Sequence, residues 1–540
     1  MSVAITKHGS THRLVVRGPF KGWLPDYPPD ELPADAFSTA NNLLVQRGRV
    51  QKIPGWSLWT NLAANQTVRA MGRYVTNAGA YQNMVVTNDK IWINTSGAFA
   101  DSGAALAGSG PVDWTIHDNL WIMTNGSDKP YSYSGTGTPA AISTAQIARL
   151  CANYNDRLFL GYIISDANAG SADMPFRLRY SATGDPTDWT DAFIHDLISG
   201  AEPPEFSGLT ALAPVGGSLA CFKRNSIWRL DPLNYTPWYS AQQVVSGIGC
   251  IGLDAICTVP EGLIFVGETD VYFWPGAGAP QPMTAGLHND MAQYIVPERY
   301  DKVSATWDPF NDRVLIGVAS SGVNESVNRI YIFDRRESTW SAMTDPNDDR
   351  SSINFQAIGQ MTFYDAMTID EYMFMGSTTA TFDGVGGVSD SRTLDSFVPI
   401  EQDRMVACDA AGNIFILWND SAGDPVYARN AVAYTGAVYF GHLDWGRPDL
   451  VKRVQRIMPL NVTGGGLSHN LKMYLGTADN PYQTPTWGSA IDFPVNTTTL
   501  PWKYCDVKAR YIVPRFETTG AAEPFELSGV VLDAVIQGEF

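Results

Sequence analysis

Leu219-Ala220-Cys221-Phe222, Arg224-Asn225, Ile227-Trp228 is the stretch whose reading decides the fold. An apolar strand meets a two-residue polar turn, and a second strand follows with an Ile–aromatic pair near its centre. That is the signal of a β-hairpin. The same pattern recurs upstream as Met84-Val85-Val86, Asn88-Asp89, Ile91-Trp92-Ile93, and as Leu120-Trp121-Ile122-Met123, Asn125-Gly126, Tyr131-Ser132-Tyr133. Arg157-Leu158-Phe159-Leu160 faces Phe176-Arg177-Leu178-Arg179-Tyr180 across a longer loop. Downstream come Leu263-Ile264-Phe265-Val266 with Val271-Tyr272-Phe273, Arg313-Val314-Leu315-Ile316 with Arg329-Ile330-Tyr331-Ile332-Phe333, and Tyr372-Met373-Phe374-Met375 with Thr379-Ala380-Thr381-Phe382.

The aromatic markers Trp92, Tyr131, Tyr180, Trp228, Tyr272, Tyr331 and Phe382 are spaced 39 to 59 residues apart. Repeats of about 40–50 residues with four strands each point to a β-propeller. One four-stranded sheet cannot bury both its faces, whereas sheets stacked around an axis can. The spacing predicts six or seven blades over residues 61–425, with a series of β-sandwiches as the alternative. Residues 1–60 read as an N-terminal extended arm and strand pair. Trp23-Leu24-Pro25-Asp26-Tyr27-Pro28-Pro29-Asp30 is proline-rich, and Asn42–Val50 reads as strand, turn at Gly48, strand. Residues 426–540 read as a C-terminal antiparallel β domain resembling a sandwich. There Val432-Ala433 and Val438-Tyr439-Phe440 are expected to flank a Gly436 turn. Helix is expected to be scarce, with a turn or two at Asp290–Tyr294.

Composition agrees with an all-β fold. The 540 residues include 49 Gly, 33 Pro, 16 Trp, 23 Tyr and 23 Phe, and only 17% are charged. Thirty-seven basic against 55 acidic residues leave a net charge of −18, which argues against gripping nucleic acid or an anionic membrane. Six cysteines with no C-x-x-C spacing read as free, mostly buried thiols. The polar stretch Met1–Ser10 lacks the apolar core of a signal peptide, and no apolar window reaches membrane-spanning length. The expectation is a soluble protein made in a reducing cytoplasm.

Catalytic signatures are sparse. There is no G-x-S-x-G, H-E-x-x-H or Walker loop. Gly247-Ile248-Gly249-Cys250-Ile251-Gly252 spells the dinucleotide fingerprint but lies between strand-like runs, so it reads as a glycine turn. The histidines (His8, His12, His117, His195, His288, His442, His469) are scattered. Asp345-Pro346-Asn347-Asp348-Asp349 and Asn419–Asp424 lack full calcium-loop spacing and read as solvated turns. Lys452-Arg453-Val454-Gln455-Arg456 reads as a solvated strand edge or a contact to an acidic partner. No catalytic, cofactor-binding or metal-ligating residue is assigned, and no enzyme activity is expected. Abundant carboxylates keep a carbohydrate-active propeller, glycosidase or lectin-like, as the alternative.

Several stretches taken together resemble the β-propeller tail hub, or nozzle, proteins of short-tailed bacteriophages. One branch comprises the packaged-DNA stabilisation proteins, and a distant one is tail tubular protein B. The resemblance lies in Asn42–Val50 with Ile53-Pro54-Gly55-Trp56, and in Arg179-Tyr180-Ser181-Ala182-Thr183-Gly184-Asp185-Pro186-Thr187-Asp188-Trp189. It continues in Gly247-Ile248-Gly249-Cys250 with Phe265–Tyr272, in Asn328–Asp334 with Trp340, and in Thr435–Gly441 with Lys452–Ile457. It implies a virion tail component assembled in the host cytoplasm as a ring of six copies. Such a ring meets a portal or adaptor protein above and tail fibre, spike or needle proteins below. It also implies that duplex DNA passes through without specific binding, which an acidic wall would favour.

Overall fold

The computed structural model describes residues 3–62, 67–94, 98–108, 110–166, 171–189, 194–198, 208–235, 238–319, 326–344, 353–365, 400–418, 428–430, 432–464, 469–495, 502–521 and 523–537. The chain is all-β, built of many small antiparallel sheets. Helix among the described residues is confined to His288–Tyr294 and the 3-10 turns of Pro297–Lys302. Among the described residues, no helix is long and apolar enough to cross a membrane.

Five four-stranded sheets follow one another along the chain. They begin with the strands Val68–Val75, Asp113–His117, Ile147–Tyr154, Leu209–Val215 and Ile256–Val259. A sixth set of four runs from Ser304–Asp308 to Thr339–Met343. The seventh takes Phe355–Asp365, Ile400–Asp409 and Asn413–Leu417 from this part of the chain, and its fourth strand, Trp56–Asn61, from near the N-terminus.

The expected hairpins form in register, with Val85 opposite Trp92, Phe159 opposite Tyr180 and Cys221 opposite Trp228. Six of the seven aromatic markers, Trp92 to Tyr331, fall on the third strands of six successive sheets. Phe382 and the expected pair Tyr372–Met375 and Thr379–Phe382 lie outside the described residues.

The sheets pack face to face. From the second to the seventh, each first strand packs on the first strand of the next, and that of the seventh packs on Val68–Val75 of the first. Trp114 of the second sheet fills the space over Gly72 of the first, where an added Cβ would stand 2.1 Å from the indole. Separate apolar clusters fill these gaps. Phe159, Tyr180, Leu219 and Tyr239 pack between the third and fourth sheets, and Leu315, Ile332, Phe355 and Phe415 between the sixth and seventh. Two-sided burial explains why second strands such as Ser218–Lys223, Gly262–Val266 and Arg313–Val318 are buried at every position instead of alternating. Each large apolar side chain so buried contributes about 1.5–3 kcal/mol.

The remaining strands interleave the two ends of the chain. A five-stranded sheet runs in the order Val3–His8, Thr11–Arg17, Gly529–Gln537, Val451–Leu460, Lys503–Ala509. Beyond Thr339–Met343 the sixth sheet continues through Phe37–Asn41, Gly436–Phe440, Tyr511–Thr518 and Asn470–Ala478. Both contribute to one apolar cluster, with Leu14, Val454, Leu532, Val438, Met473 and Phe516 among its members. Residues 1–60 thus supply strands to four sheets.

Two expectations are corrected. Val432–Ala433 and Gly436–Phe440 do not pair with each other. The first pairs with Ala428–Arg429, and the second lies between Phe37–Asn41 and Tyr511–Thr518. Lys452–Arg456 is not a solvated edge, because its strand is paired on both sides. Lys452 is buried and donates to the carbonyls of Arg447 and Arg510. Arg453 and Arg456 meet Asp506 and Asp533 from the flanking strands.

Candidate functional site

The first strands of the sheets carry small or polar residues where they approach one another, among them Ala70, Asp113, Ala213, Cys257, Thr306 and Ala357. Between them lies a cavity of about 260 Å³. A wider one of about 440 Å³ adjoins it and shares Leu253, Asp254 and Asp301.

Two carboxylates mark this place. Asp113 opens the first strand of the second sheet and accepts hydrogen bonds from the amides of Trp114 and Cys151, each at 2.8 Å. Burial pushes its pKa up to about 8, against the pull of the Cys151 amide, and the charge of Asp254 adds to the rise. Asp254 sits in the turn between the fourth and fifth sheets. Its side chain is open to the cavity yet ringed by protein, a lumen that hydrates a charge less than bulk water does. This desolvation raises its pKa to about 7, partly offset by Lys302.

In the wider cavity the Arg149 guanidinium lies 4.1 Å over the Tyr162 ring, and that of Arg224 lies 5.1 Å over Tyr300. Arg224 also pairs with Glu268 at 2.7 Å. Tyr162 adopts φ +53° at a bulge in its strand. Both carboxylates line one cavity, and desolvation raises the pKa of each toward neutral. Among the described residues, no group of three or more His, Cys, Asp or Glu is placed to hold a metal ion.

The sequence reading singled out neither Asp113 nor Asp254. Their signal would have been positional, an acid at the start of an inner strand and another in the turn leading to one. The glycine run Gly247–Gly252 forms the turn preceding Asp254 and opens no helix. Gly249 is required there, since a Cβ would lie 1.9 Å from the Lys223 carbonyl oxygen.

The histidines do not converge. His8 and His12 lie on paired strands. His117 is buried with no hydrogen-bond partner among the described residues, His195 stacks on Tyr180 and His442 meets Tyr511 edge-on. All six cysteines are free, with Cys257 and Cys505 part-exposed and the rest buried. The acidic runs Asp345–Asp349 and Asn419–Asp424 lie outside the described residues.

Of the residues that carry the family resemblance, Asn42 joins different sheets, whereas Ser181, Trp189 and Asp334 make contacts within one sheet or turn. Asn42, at φ +58°, donates to the Thr435 carbonyl at 2.8 Å and accepts from the Thr344 amide at 2.9 Å and from Arg429 at 2.6 Å. Ser181 accepts from the Leu158 amide through its hydroxyl and from Arg157 through its carbonyl. The Trp189 indole closes its turn on the Pro186 carbonyl at 2.9 Å. Asp334 pairs with buried Arg313 at 3.1 Å.

No protein-family model matches the chain, and no curated protein matches it. Among solved structures it is similar to the computationally designed Ika8 protein, at 12% identity over 67% of this chain and 99% of that one, with a TM-score of 0.34. It is similar to Saccharomyces cerevisiae Sqt1, at 11% identity over 70% of this chain and 99% of that one, TM-score 0.33. A third is apo AztD from Citrobacter koseri, at 10% identity over 54% and 95%, TM-score 0.29.

Proposed function

We propose that this chain is a structural subunit of a bacteriophage tail, a hub or nozzle ring through which DNA leaves the particle. In this reading the seven four-stranded units are the blades of a β-propeller. Trp56–Asn61 latches the last blade, and a sandwich-like module formed by both chain ends is attached to the sixth. The cyclic order of first-strand contacts, with the seventh on the first, supports the propeller. The hub assignment rests on one observation. The motifs resembling the tail hub family run in order along most of the chain, and their residues make structural contacts, Asn42 and Gly249 between sheets and Ser181 and Asp334 within one.

Six copies form the ring. It stands in the virion tail between a portal or adaptor protein and fibre, spike or needle proteins, and assembles in the host cytoplasm. The cavity between the first strands is too small for a duplex, so the DNA path lies on the oligomer axis. The net charge of −18 favours passage without adhesion. No turnover of a substrate is part of this function. Native mass measurement of the full chain, alone and with the products of neighbouring genes, tests the reading. A ring supports it, and a monomer that persists in that mixture refutes it.

A second reading is favoured by Asp113 and Asp254, a carboxylate pair with raised pKa values in one cavity. It makes the chain a carbohydrate-active propeller. Glycan hydrolysis abolished by changing the pair to amides would favour it over the first.

A further inference from the structure

Against a net charge of −18, one groove is basic. A cavity of about 580 Å³ is lined by Arg17, Arg47 and Arg49, with Glu337, Asn461 and Ser528 among its other walls. Its floor is made of chain reversals locked to one another. The Gly18 amide donates to the Ser528 carbonyl at 3.0 Å, and Ser528 donates to the Leu460 carbonyl. Gly18 packs so tightly on Gly48 that a Cβ would stand 1.8 Å from the Gly48 carbonyl oxygen.

Within the groove Arg49 is already paired, with Glu526 at 2.6 Å. Glu337 is engaged by the backbone amide of Arg47 at 2.9 Å. Among the described residues, no ion pair or side-chain hydrogen bond joins the guanidinium of Arg17 or Arg47 to a carboxylate. Two guanidinium groups that line the same groove can each donate to carboxylate oxygens.

The chain carries a surface of the opposite sign. Asp118, Asp156 and Asp185 are exposed on turns of the second and third sheets, close enough that the fields of all three act on buried His117. We propose that the arginine groove docks the Asp118–Asp156–Asp185 surface of a second copy of this chain. Groove and acidic surface are different patches, so the contact is head-to-tail, and such contacts close into rings when the rotation between copies allows.

The inference rests on the ring proposed above and names the charges that hold it. Screening limits each charge to about 8 Å at physiological salt, so the local patches decide the contact and the net repulsion does not. A DNA duplex reaches beyond the groove and meets the acidic remainder of the surface, which is why a second copy is the better occupant.

The test measures the mass of the full-length protein, with its neighbouring tail proteins present, for four forms: wild type, R17E/R47E, D118K/D156K and the fourfold exchange. All these side chains are exposed, and circular dichroism checks that each form folds. Each double variant is expected to weaken assembly at least about a hundredfold, and the fourfold exchange to restore it. A ring that persists unchanged in R17E/R47E overturns the groove assignment and leaves the hub reading standing. A fourfold variant no better than the doubles overturns the pairing of the two surfaces. A wild-type monomer overturns both proposals. Binding of a short labelled duplex that R17E/R47E abolishes overturns the second-copy occupant in favour of nucleic acid.

Discussion

Trp56 and Leu417 are register partners across an antiparallel ladder, so a strand from the N-terminal part of the chain completes the sheet farthest along it. Trp56 is buried against Phe355, ring centroids 5.1 Å apart, and the Arg429 guanidinium lies 5.1 Å over its ring. This one side chain joins the latch strand to the core between the sixth and seventh sheets.

Replacing it tests the latch. Trp56→Ala removes a buried indole and leaves a cavity, at an expected cost of about 3–5 kcal/mol. Urea unfolding followed by circular dichroism reads this as a lowered midpoint. A midpoint within error of wild type contradicts the account of the latch.

Asn42 separates backbone geometry from hydrogen bonding. At φ +58° any side chain with a Cβ other than Asn or Asp is strained, whereas Gly is not. Asn42→Gly relieves that constraint but leaves buried Arg429 without one of its acceptors, at an expected cost of about 1.5–3 kcal/mol. Asn42→Ala loses the same bonds and adds about 1 kcal/mol of strain. Comparing their thermal midpoints checks the order wild type, then Gly, then Ala.

The strand–turn–strand grammar was readable because each hairpin is local. Asn125-Gly126 or Arg224-Asn225 between β-branched and aromatic runs specifies a reversal without help from elsewhere. The third-strand aromatics were readable because Trp92, Tyr180, Trp228, Tyr272 and Tyr331 are buried in the core, with Tyr131 part-exposed. Partners hundreds of residues away were not. The alternation of Thr11–Arg17 marks a strand, but nothing in it names Gly529–Gln537 as its neighbour. The run Lys452–Arg456 looked like an exposed edge because its carboxylate partners, Asp506 and Asp533, are remote in sequence. The pair Asp113 and Asp254 was invisible for the same reason, since the cavity exists only once separate sheets are assembled.

The pH dependence of stability follows from Asp254. Its pKa in the folded protein is raised to about 7, above the usual carboxylate range of about 4. Between those values the folded state holds a proton that the unfolded state releases, so the group lowers stability as pH rises from about 4 to 7. Among the described residues, no side-chain hydrogen bond of Asp254 stands for Asn to disrupt. Asp254→Asn is therefore expected to match wild type near pH 4 and to exceed it increasingly up to pH 7, with a constant gain above. Lys52 has the opposite sign. Burial lowers its pKa to about 8, so its contribution makes stability rise with pH above that value. Melting curves from about pH 4 to 7 check the first and from about pH 8 to 10.5 the second, and a difference between D254N and wild type that ignores pH contradicts the first.

The thiols supply an independent check on burial. Desolvation pushes Cys250 and Cys257 up to about 12 and Cys505 to about 11, and raises Cys151, Cys221 and Cys408 as well. Thiolate is then negligible at pH 8. The native protein is expected to show no rapidly reacting thiol toward a disulfide reagent, with half-exposed Cys505 reacting first on long incubation. All six react at once in denaturant. A fast native thiol contradicts the described packing around that cysteine.

Electron cryomicroscopy of the full chain, purified together with the products of neighbouring genes, tests the central claim most directly. The account predicts a closed ring of copies, each a disc of seven four-stranded blades whose last blade holds residues 56–61, around an open axis wide enough for duplex DNA. A single unassembled copy, or sheets stacked in a row without contact between the seventh and the first, would contradict it.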